Sequence, residues 1–262
     1  MIIEFLGLPG SGKTTIRREL LTHFKTINAP TFLSAEEAGY LRMKSEGDRI
    51  YRSLLQILPY TTGLKLAEWA SGRSLFQCQA QNSFIAEYGK SLSAFLNSAT
   101  FEKMLVADKQ NVIGNFLEMG VAWRMLDAPE FSDVHVFFEE GFIQKSFMFV
   151  DHAYCYAAIE NSLHTYFQNI PLPDIVVHVK TEVEQSHQRM LGRQDGLTNR
   201  LKGQSEQTIN HFLNQAEEHI GHVMRLLSAQ NKCRVIEVQN DAPLEEVVRI
   251  TRKELSNHLK ID

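Results

Sequence analysis

Short apolar runs alternate along the chain with longer segments of amphipathic pattern. The apolar runs are not interrupted by polar residues at every second position, which is typical of strands buried on both faces of a parallel sheet. Strands and helices that alternate in this way form right-handed βαβ crossovers. The predicted strands are 2–6, 30–34, 134–138, 175–179 and 234–238, and the predicted helices include 13–24 and 243–259. The pattern therefore predicts an α/β fold with a five-stranded parallel sheet flanked by helices.

A long stretch between the second and third predicted strands carries almost no strand signal. Its amphipathic segments are 36–58, 64–70, 74–96 and 102–126, with predicted breaks at Pro59, Gly63 and Gly72. This stretch is too long for an ordinary crossover, and we expect it to cap the carboxyl edge of the sheet, where ligands of open α/β folds bind. No repeat, low-complexity tract or linker divides the chain. We therefore predict a single domain over 1–262, with a helical insertion at about 36–130.

The composition of the chain indicates which cell compartment and which classes of partner to expect. Hydrophobic residues make up 44% of the 262 residues and charged residues 22%, which is enough for a sizeable core. The net charge of −4 gives no general basic field for a nucleic acid polymer. Cys78, Cys155 and Cys233 form no C-x-x-C pair, which indicates reduced thiols. With neither a signal-peptide pattern nor an apolar run of ~20 residues, we expect a cytoplasmic protein without a membrane partner.

The first predicted strand leads directly into a glycine-rich loop and a helix. The loop, Gly7-Leu8-Pro9-Gly10-Ser11-Gly12-Lys13-Thr14, matches the P-loop pattern G-x-x-x-x-G-K-[ST]. Loop amides and the positive end of the helix attract phosphate, the lysine contacts the β- and γ-phosphates, and the threonine hydroxyl ligates Mg²⁺. We expect the lysine charge on an exposed loop. The candidate nucleotide-binding residues are Gly7, Pro9, Gly10, Ser11, Gly12, Lys13, Thr14 and Thr15.

Two carboxylates end the third predicted strand. Glu139 and Glu140 follow the apolar run 134–138, and this strand lies beside the first one in a P-loop fold. A carboxylate there can join the Mg²⁺ shell or accept the proton of an attacking hydroxyl, and both roles stay open from the residues alone. Glu139 is the first choice because it directly continues the strand, and Glu140 is the second. The alternative is a solvated pair at a strand end.

Basic residues gather after the fourth predicted strand. Arg189 and Arg193 are four residues apart, and Arg200 and Lys202 follow among glycines. This pattern predicts a flap at about 189–204 whose cations stabilise charge on a transferring phosphoryl group. The alternative is an exposed basic helix end.

These motifs together resemble the thymidylate kinase and deoxynucleoside kinase branch of P-loop kinases. The resemblance covers residues 1–34 and about 133–260, and includes the Pro-Asp-apolar strand that begins at Pro173. It implies a three-layer P-loop fold with strand order 2-3-1-4-5. The Glu-Arg-Ser motif of the deoxynucleoside kinases uses its Glu as a general base, which implies that role for Glu139. Glu140 stands where the family has Arg, a departure that leaves the family's substrate in question.

The function predicted from these residues is ATP-dependent phosphoryl transfer to a small molecule, a nucleoside, nucleotide or similar acceptor. Lys13, Glu139, Arg189 and Arg193 are the candidate catalytic residues, and Thr14 and Glu139 are the candidate Mg²⁺ ligands. The alternative is a regulatory P-loop NTPase, or a nucleotide-binding protein without turnover. The small-molecule acceptor is the expected partner, and a homodimer is left open. No motif in the insertion specifies the acceptor.

Overall fold

Five parallel strands form the centre of the protein. The computed structural model describes residues 1–27, 31–46, 49–70, 75–127, 129–150, 155–192 and 201–259. The strands are β1 (Ile2–Leu6), β2 (Phe32–Ser34), β3 (His135–Phe138), β4 (Ile175–Lys180) and β5 (Arg234–Gln239). They pair in the order β2-β3-β1-β4-β5, and every pair is parallel. The structure therefore confirms the predicted five-stranded parallel sheet and its strand order.

Helices surround this sheet. In chain order, those in the described residues are α1 (Lys13–Thr26), α2 (Ala35–Glu46), α3 (Arg49–Ile57), α4 (Tyr60–Ala70), α5 (Leu75–Leu96), α6 (Ala99–Lys103), α7 (Val106–Met125), α8 (Phe142–Lys145), α9 (Tyr156–Asn169), α10 (Val183–Leu191), α11 (Glu206–Gln230) and α12 (Leu244–Leu259). Helices α2 to α7 all come between β2 and β3 in the chain. None of the helices in the described part of the chain combines the length and the apolar character needed to cross a membrane.

The insertion differs from its prediction in three places. Segment 36–58 forms two helices, α2 and α3, and segment 102–126 also forms two, α6 and α7, because Met104 and Leu105 between them are extended. The predicted break at Gly63 is wrong, since Gly63 lies within α4. It is buried, and a side-chain carbon there would meet the Tyr40 ring at 2.8 Å, so its small size serves packing. The break at Pro59 is confirmed, and Gly72 lies outside the described residues.

Alternating side chains of β1 point into two separate cores. Ile3 and Phe5 are fully buried in a cluster with residues of α1 and α12, including Ile16 and Leu255. Leu6 faces the other way, into a larger cluster formed by α5, α7, α9 and α11. The sheet is thus covered by helices on both faces, which explains why its central strands are mostly apolar. Glu4 shares the face of Leu6 and is also fully buried.

Candidate functional site

The glycine-rich loop between β1 and α1 closes around the side chain of Lys13. Lys13 Nζ donates hydrogen bonds to the carbonyl oxygens of Gly7, at 2.8 Å, and of Leu8, at 2.9 Å. The side chain is buried, so the expectation of an exposed lysine is wrong. Because the loop folds back over the start of α1, the ammonium group lies within the loop and at the positive end of the helix.

Two glycines of the loop are required by its shape. Gly10 and Gly12 have φ angles of 87° and 91°, in the left-handed region that residues with a side chain rarely adopt. A side-chain carbon at position 10 would overlap with the carbonyl oxygen of Ser186, and one at position 12 would overlap with the amide of Asn240. The loop is therefore held closely against the start of the segment after β5 and against α10.

Asn240, the residue directly after β5, forms a hydrogen bond with the glycine-rich loop. Its Nδ2 donates to the carbonyl oxygen of Ser11 at 2.6 Å, and Thr181 Oγ1 donates to the same oxygen at 3.3 Å. Arg189, the first of the predicted flap cations, donates from Nη2 to the carbonyl oxygen of Asn240 at 3.0 Å. Arg189 therefore lies beside the loop. Sequence reasoning missed Asn240, because a single Asn after a strand is a common turn signal.

The remaining flap residues are only partly covered by the structure. Arg193 and Arg200 lie outside the described residues. Lys202 is exposed in a turn that follows them. The predicted flap at 189–204 therefore stays a prediction, apart from the position of Arg189.

The carboxylate of Glu139 lies against the first turn of α1. The Thr14 hydroxyl donates to Glu139 Oε1, and Arg17 Nη2 donates to Glu139 Oε2 at 3.0 Å. Thr14 and Glu139, the two predicted Mg²⁺ ligands, are therefore in direct contact. Thr15, one residue further along α1, is half-buried, and Pro9 is half-buried within the loop.

Arg17 is a site residue that the sequence reasoning did not select. It lies four residues after Lys13 and three after Thr14, and side chains at each of these two spacings are neighbours on a helix. Its side chain is only 14% exposed, and its Nη1 lies 3.8 Å from a carboxylate oxygen of Glu36. Among the described residues, no acceptor forms a hydrogen bond with its buried Nε or Nη1. Arg17 is therefore a largely buried cation whose hydrogen bonds are not all made within the described part of the chain.

Glu140 has a different environment from its neighbour Glu139. Its carboxylate is exposed and pairs with Lys145 Nζ of α8 at 3.0 Å. Glu139 is half-buried and faces α1. The two consecutive carboxylates therefore have different contacts, and Glu139 is bonded to the start of α1.

A cavity of about 690 Å³ begins at the end of β3 and extends into the helical insertion. Its size is within the range of small-molecule sites. Apolar residues form most of its wall, including Tyr40, Met43, Met119, Met125 and Phe138. Its charged and amide side chains are Glu36, Lys65, Asn115, Glu118, Glu139, Glu140 and Lys145. The cavity is therefore mostly apolar, and Glu139 is one of the charged residues in its lining.

The oxygen atoms of Thr14 and Glu139 suit Mg²⁺, which prefers oxygen ligands and keeps several waters and substrate oxygens in its shell. The described part of the chain contains no cluster of three or more His, Cys, Asp or Glu residues that would form an all-protein metal site. His219 and His222 illustrate this. His219 is fully buried and contacts Ser146 Oγ at 2.9 Å, while His222 stacks on Tyr156.

No family model matches the chain, and a search of curated proteins gives no significant match. What the protein does must therefore be inferred from its own residues and their geometry.

Proposed function

We propose that the protein is an ATP-dependent kinase of the P-loop class, which phosphorylates a hydroxyl group of a small molecule. One observation carries this proposal. Glu139 both accepts the Thr14 hydroxyl at the glycine-rich loop and lines the cavity of the insertion. A single carboxylate thus lies between a candidate triphosphate site and a candidate acceptor site, which is where an attacking hydroxyl must meet the γ-phosphate.

The donor end of the proposed site consists of residues 7–17. In this proposal the loop amides and Lys13 bind the β- and γ-phosphates, so that Lys13 exchanges its loop carbonyls for phosphate oxygens. Thr14 and Glu139 would hold Mg²⁺, which neutralises phosphate charge when it is bound. Arg17 and Arg189 are cations placed near opposite sides of the loop. They are suited to stabilise charge that develops on the phosphoryl group.

The acceptor end is the cavity. A hydroxyl oxygen of the acceptor attacks the γ-phosphorus, and the bond from phosphorus to the β–γ bridging oxygen breaks. The hydroxyl proton passes to Glu139, which leaves ADP and a phosphate ester. Arg17 contacts Glu139 Oε2 and orients the carboxylate for this step. The Mg²⁺-ligand role and the base role of Glu139 predict different responses of turnover to added metal.

Charge in the cavity favours a neutral or cationic acceptor. Four carboxylates line it, Glu36, Glu118, Glu139 and Glu140, against the ammonium groups of Lys65 and Lys145. No arginine belongs to the lining that the structure describes, whereas phosphate and carboxylate groups are most often bound by bidentate arginines. A nucleoside, sugar or amino sugar with an apolar face fits these walls better than a nucleotide does.

The proposal is tested by acceptor-dependent ADP formation with matched acceptor pairs. Each pair is a hydroxyl compound and its phosphate ester, such as a nucleoside and its 5′-monophosphate, or a sugar and its sugar phosphate. We expect turnover with the unphosphorylated member. The variant Glu118→Lys should shift the preference toward the ester, since Glu118 is an exposed cavity residue of α7. Glu217→Lys, at an exposed position of α11 outside the cavity lining, is the matched control.

An acceptor-free control separates the kinase from the alternative of a regulatory NTPase. A kinase forms ADP at a much higher rate when its acceptor is present. ADP formation at one rate with and without every compound tested would instead favour the NTPase. The absence of Mg²⁺-dependent ATP binding would refute both functions.

A further inference from the structure

A buried carboxylate lies beneath the glycine-rich loop and has no part in the proposed chemistry. Glu4 is in the middle of β1, the central strand, and is fully buried. Its Oε1 accepts a hydrogen bond from the backbone N–H of Gln144 at 2.7 Å. The side chain of Gln144 in turn accepts the backbone N–H of Gly7 at 3.1 Å. Two hydrogen bonds thus connect the carboxylate with the first residue of the loop.

The same carboxylate contacts the turn that follows Glu139 and Glu140. Gly141 packs directly against Glu4, and a side-chain carbon at position 141 would overlap with the Glu4 carboxylate. The backbone N–H groups of Gly141, Ile143 and Gln144 all point to it. The start of α8 is therefore folded around a negative charge.

In the part of the chain that the structure describes, few positive charges lie near the Glu4 carboxylate. Its partners in the sheet are apolar, Phe138 on β3 and Val176 on β4. The titratable groups that face it are Lys145 of α8, Tyr166 of α9 and Cys233 just before β5. Among these, only Lys145 is a cation, and its other contact is Glu140.

Burial brings the pKa of Glu4 close to neutral pH. Removal from water raises its pKa to about 7, and the backbone N–H groups of α8 together with Lys145 oppose this rise only in part. Its Oε2 has no hydrogen-bond partner in the described residues and is the atom open to a proton. A protonated carboxyl accepts a weaker hydrogen bond than a carboxylate does.

We propose that Glu4 is a positioning residue for phosphoryl transfer, whose ionised carboxylate holds the start of α8 and thereby places Gln144 under Gly7 and the preceding turn beside α1. This inference rests on the proposed function. When Glu4 is charged, the N–H groups of α8 are held by a charge-assisted hydrogen bond. When it is protonated, that bond weakens, and both the loop and the turn that carries Glu139 lose a common support. Phosphoryl transfer therefore becomes slower as the pH falls below neutrality.

The central experiment is the pH profile of kcat for the wild-type protein and for Glu4→Gln. We expect the wild-type kcat to fall below pH 7, by roughly tenfold if one charge-assisted hydrogen bond is lost. Glu4→Gln should have a kcat that does not respond to pH across this range, at the level of the protonated wild-type protein. An unchanged pH profile in folded Glu4→Gln would overturn the inference.

A second variant separates positioning from simple loss of structure. Gln144→Met keeps the volume of the side chain and the backbone N–H that binds Glu4, but it removes the acceptor of the Gly7 N–H. It should lower kcat and still show the ionisation near pH 7, since Glu4 is unchanged. Loss of that ionisation in Gln144→Met would contradict the assignment to Glu4.

Infrared spectroscopy tests the ionisation without any enzymatic assay. A carboxylic-acid band that disappears as the pH rises through about 7 is expected in the wild-type protein and in Gln144→Met, but not in Glu4→Gln. If no acceptor gives turnover and the band is present, the proposed function has failed while the titration of Glu4 stands. If turnover is found and the band is absent, the inference about Glu4 has failed and the kinase proposal stands.

Discussion

Arg17 and Glu139 are 122 residues apart in the chain, yet Arg17 Nη2 lies 3.0 Å from Glu139 Oε2. The other oxygen of the carboxylate accepts the hydroxyl of Thr14, which is one helical turn before Arg17. Both oxygens of Glu139 are therefore held by one face of α1. This fixes the carboxylate at the end of β3 more firmly than an isolated strand end would, and it makes the residue a precise target for substitution.

Glu139→Gln should lower acceptor-dependent turnover by ~10²–10⁴-fold, the usual contribution of a positioned base. ATP binding should survive, because Lys13 and the loop amides are untouched. Turnover and ATP affinity are measured side by side over a range of Mg²⁺ concentrations. Glu217→Gln, at an exposed position of α11 outside the cavity lining, is the matched control and should retain its activity.

Two outcomes divide the roles of Glu139. Partial recovery of Glu139→Gln in excess Mg²⁺ would assign it to the metal shell, whereas a loss that metal does not restore would assign it to proton transfer. Normal turnover would remove it from the mechanism.

Lys13→Met should abolish tight ATP binding, measured by calorimetry. Because Lys13 is buried and donates to two loop carbonyls, the variant should also lose stability, by about 1–3 kcal/mol for the acceptors left without a partner. Thermal unfolding therefore has to accompany the binding measurement. Arg18→Met, at a position of α1 with 69% side-chain exposure, is the control and should change neither quantity. Unchanged ATP affinity in folded Lys13→Met would reject the P-loop proposal.

Arg189→Ala should lower kcat more than it weakens ATP binding, because a cation near the loop is needed most in the transition state. Arg189 also donates a hydrogen bond to the backbone carbonyl of Asn240, and the side chain of Asn240 donates to the Ser11 carbonyl. The variant Asn240→Ala is therefore a useful comparison. If Arg189 acted only through this support, Asn240→Ala would reproduce its effect. We expect a larger kcat loss in Arg189→Ala. A rise in KM for ATP alone would make it an ordinary binding group. Arg193→Ala is expected to behave in the same way.

Two buried groups should give opposite responses of stability to acid. The pKa of Glu4 is raised to about 7 by burial, so the folded state binds the extra proton between pH 7 and the unfolded value of 4.5, and stability rises as the pH falls. The pKa of His219 is lowered to about 3 by burial. Here the unfolded state binds the extra proton below 6.5, and stability falls as the pH falls.

Each group should change the free energy of unfolding by about 2 kcal/mol between pH 7 and pH 5, with opposite signs. Denaturant unfolding at the two pH values measures this. Relative to the wild-type protein, Glu4→Gln should lose stability on acidification, and His219→Asn should gain it. The double variant should return to the wild-type slope. Equal slopes in all four proteins would contradict both ionisation shifts.

The sheet and the loop could be predicted because their signals are local. The strands are short and mostly apolar segments, and the loop is a contiguous motif in which Gly10 and Gly12 have φ angles near 90°. The contacts of the site are not local. Arg17 meets Glu139, and Asn240 meets Ser11, only after the sheet brings distant segments together. Nothing near Asn240 in the sequence distinguishes it from a surface residue, and the spacing of Arg17 from Thr14 does not identify its partner Glu139.

The interior of the insertion was still less accessible to sequence reasoning. Glycine disfavours helices, which predicts a break at Gly63, but the close packing of Gly63 against Tyr40 outweighs that preference here. The cavity depends on how α2, α4 and α7 lie against β3, and amphipathic patterns do not specify the partner of a helix. Glu4 looked like an interruption of an apolar strand, and its bond to Gln144 could not be anticipated.

The residues that line the cavity and the residues that contact the glycine-rich loop come from largely different parts of the chain. The cavity is lined from 35–125 and 138–145, whereas the contacts of the loop come from its own flanks and from positions such as 144, 181 and 240. In the described part of the chain, the stretch 138–145 contributes to both. Under the proposed function, evolution can therefore rework the insertion toward new acceptors with little harm to nucleotide binding. Exchanges of the insertion between related proteins should succeed when 138–145 is kept and fail when it is replaced.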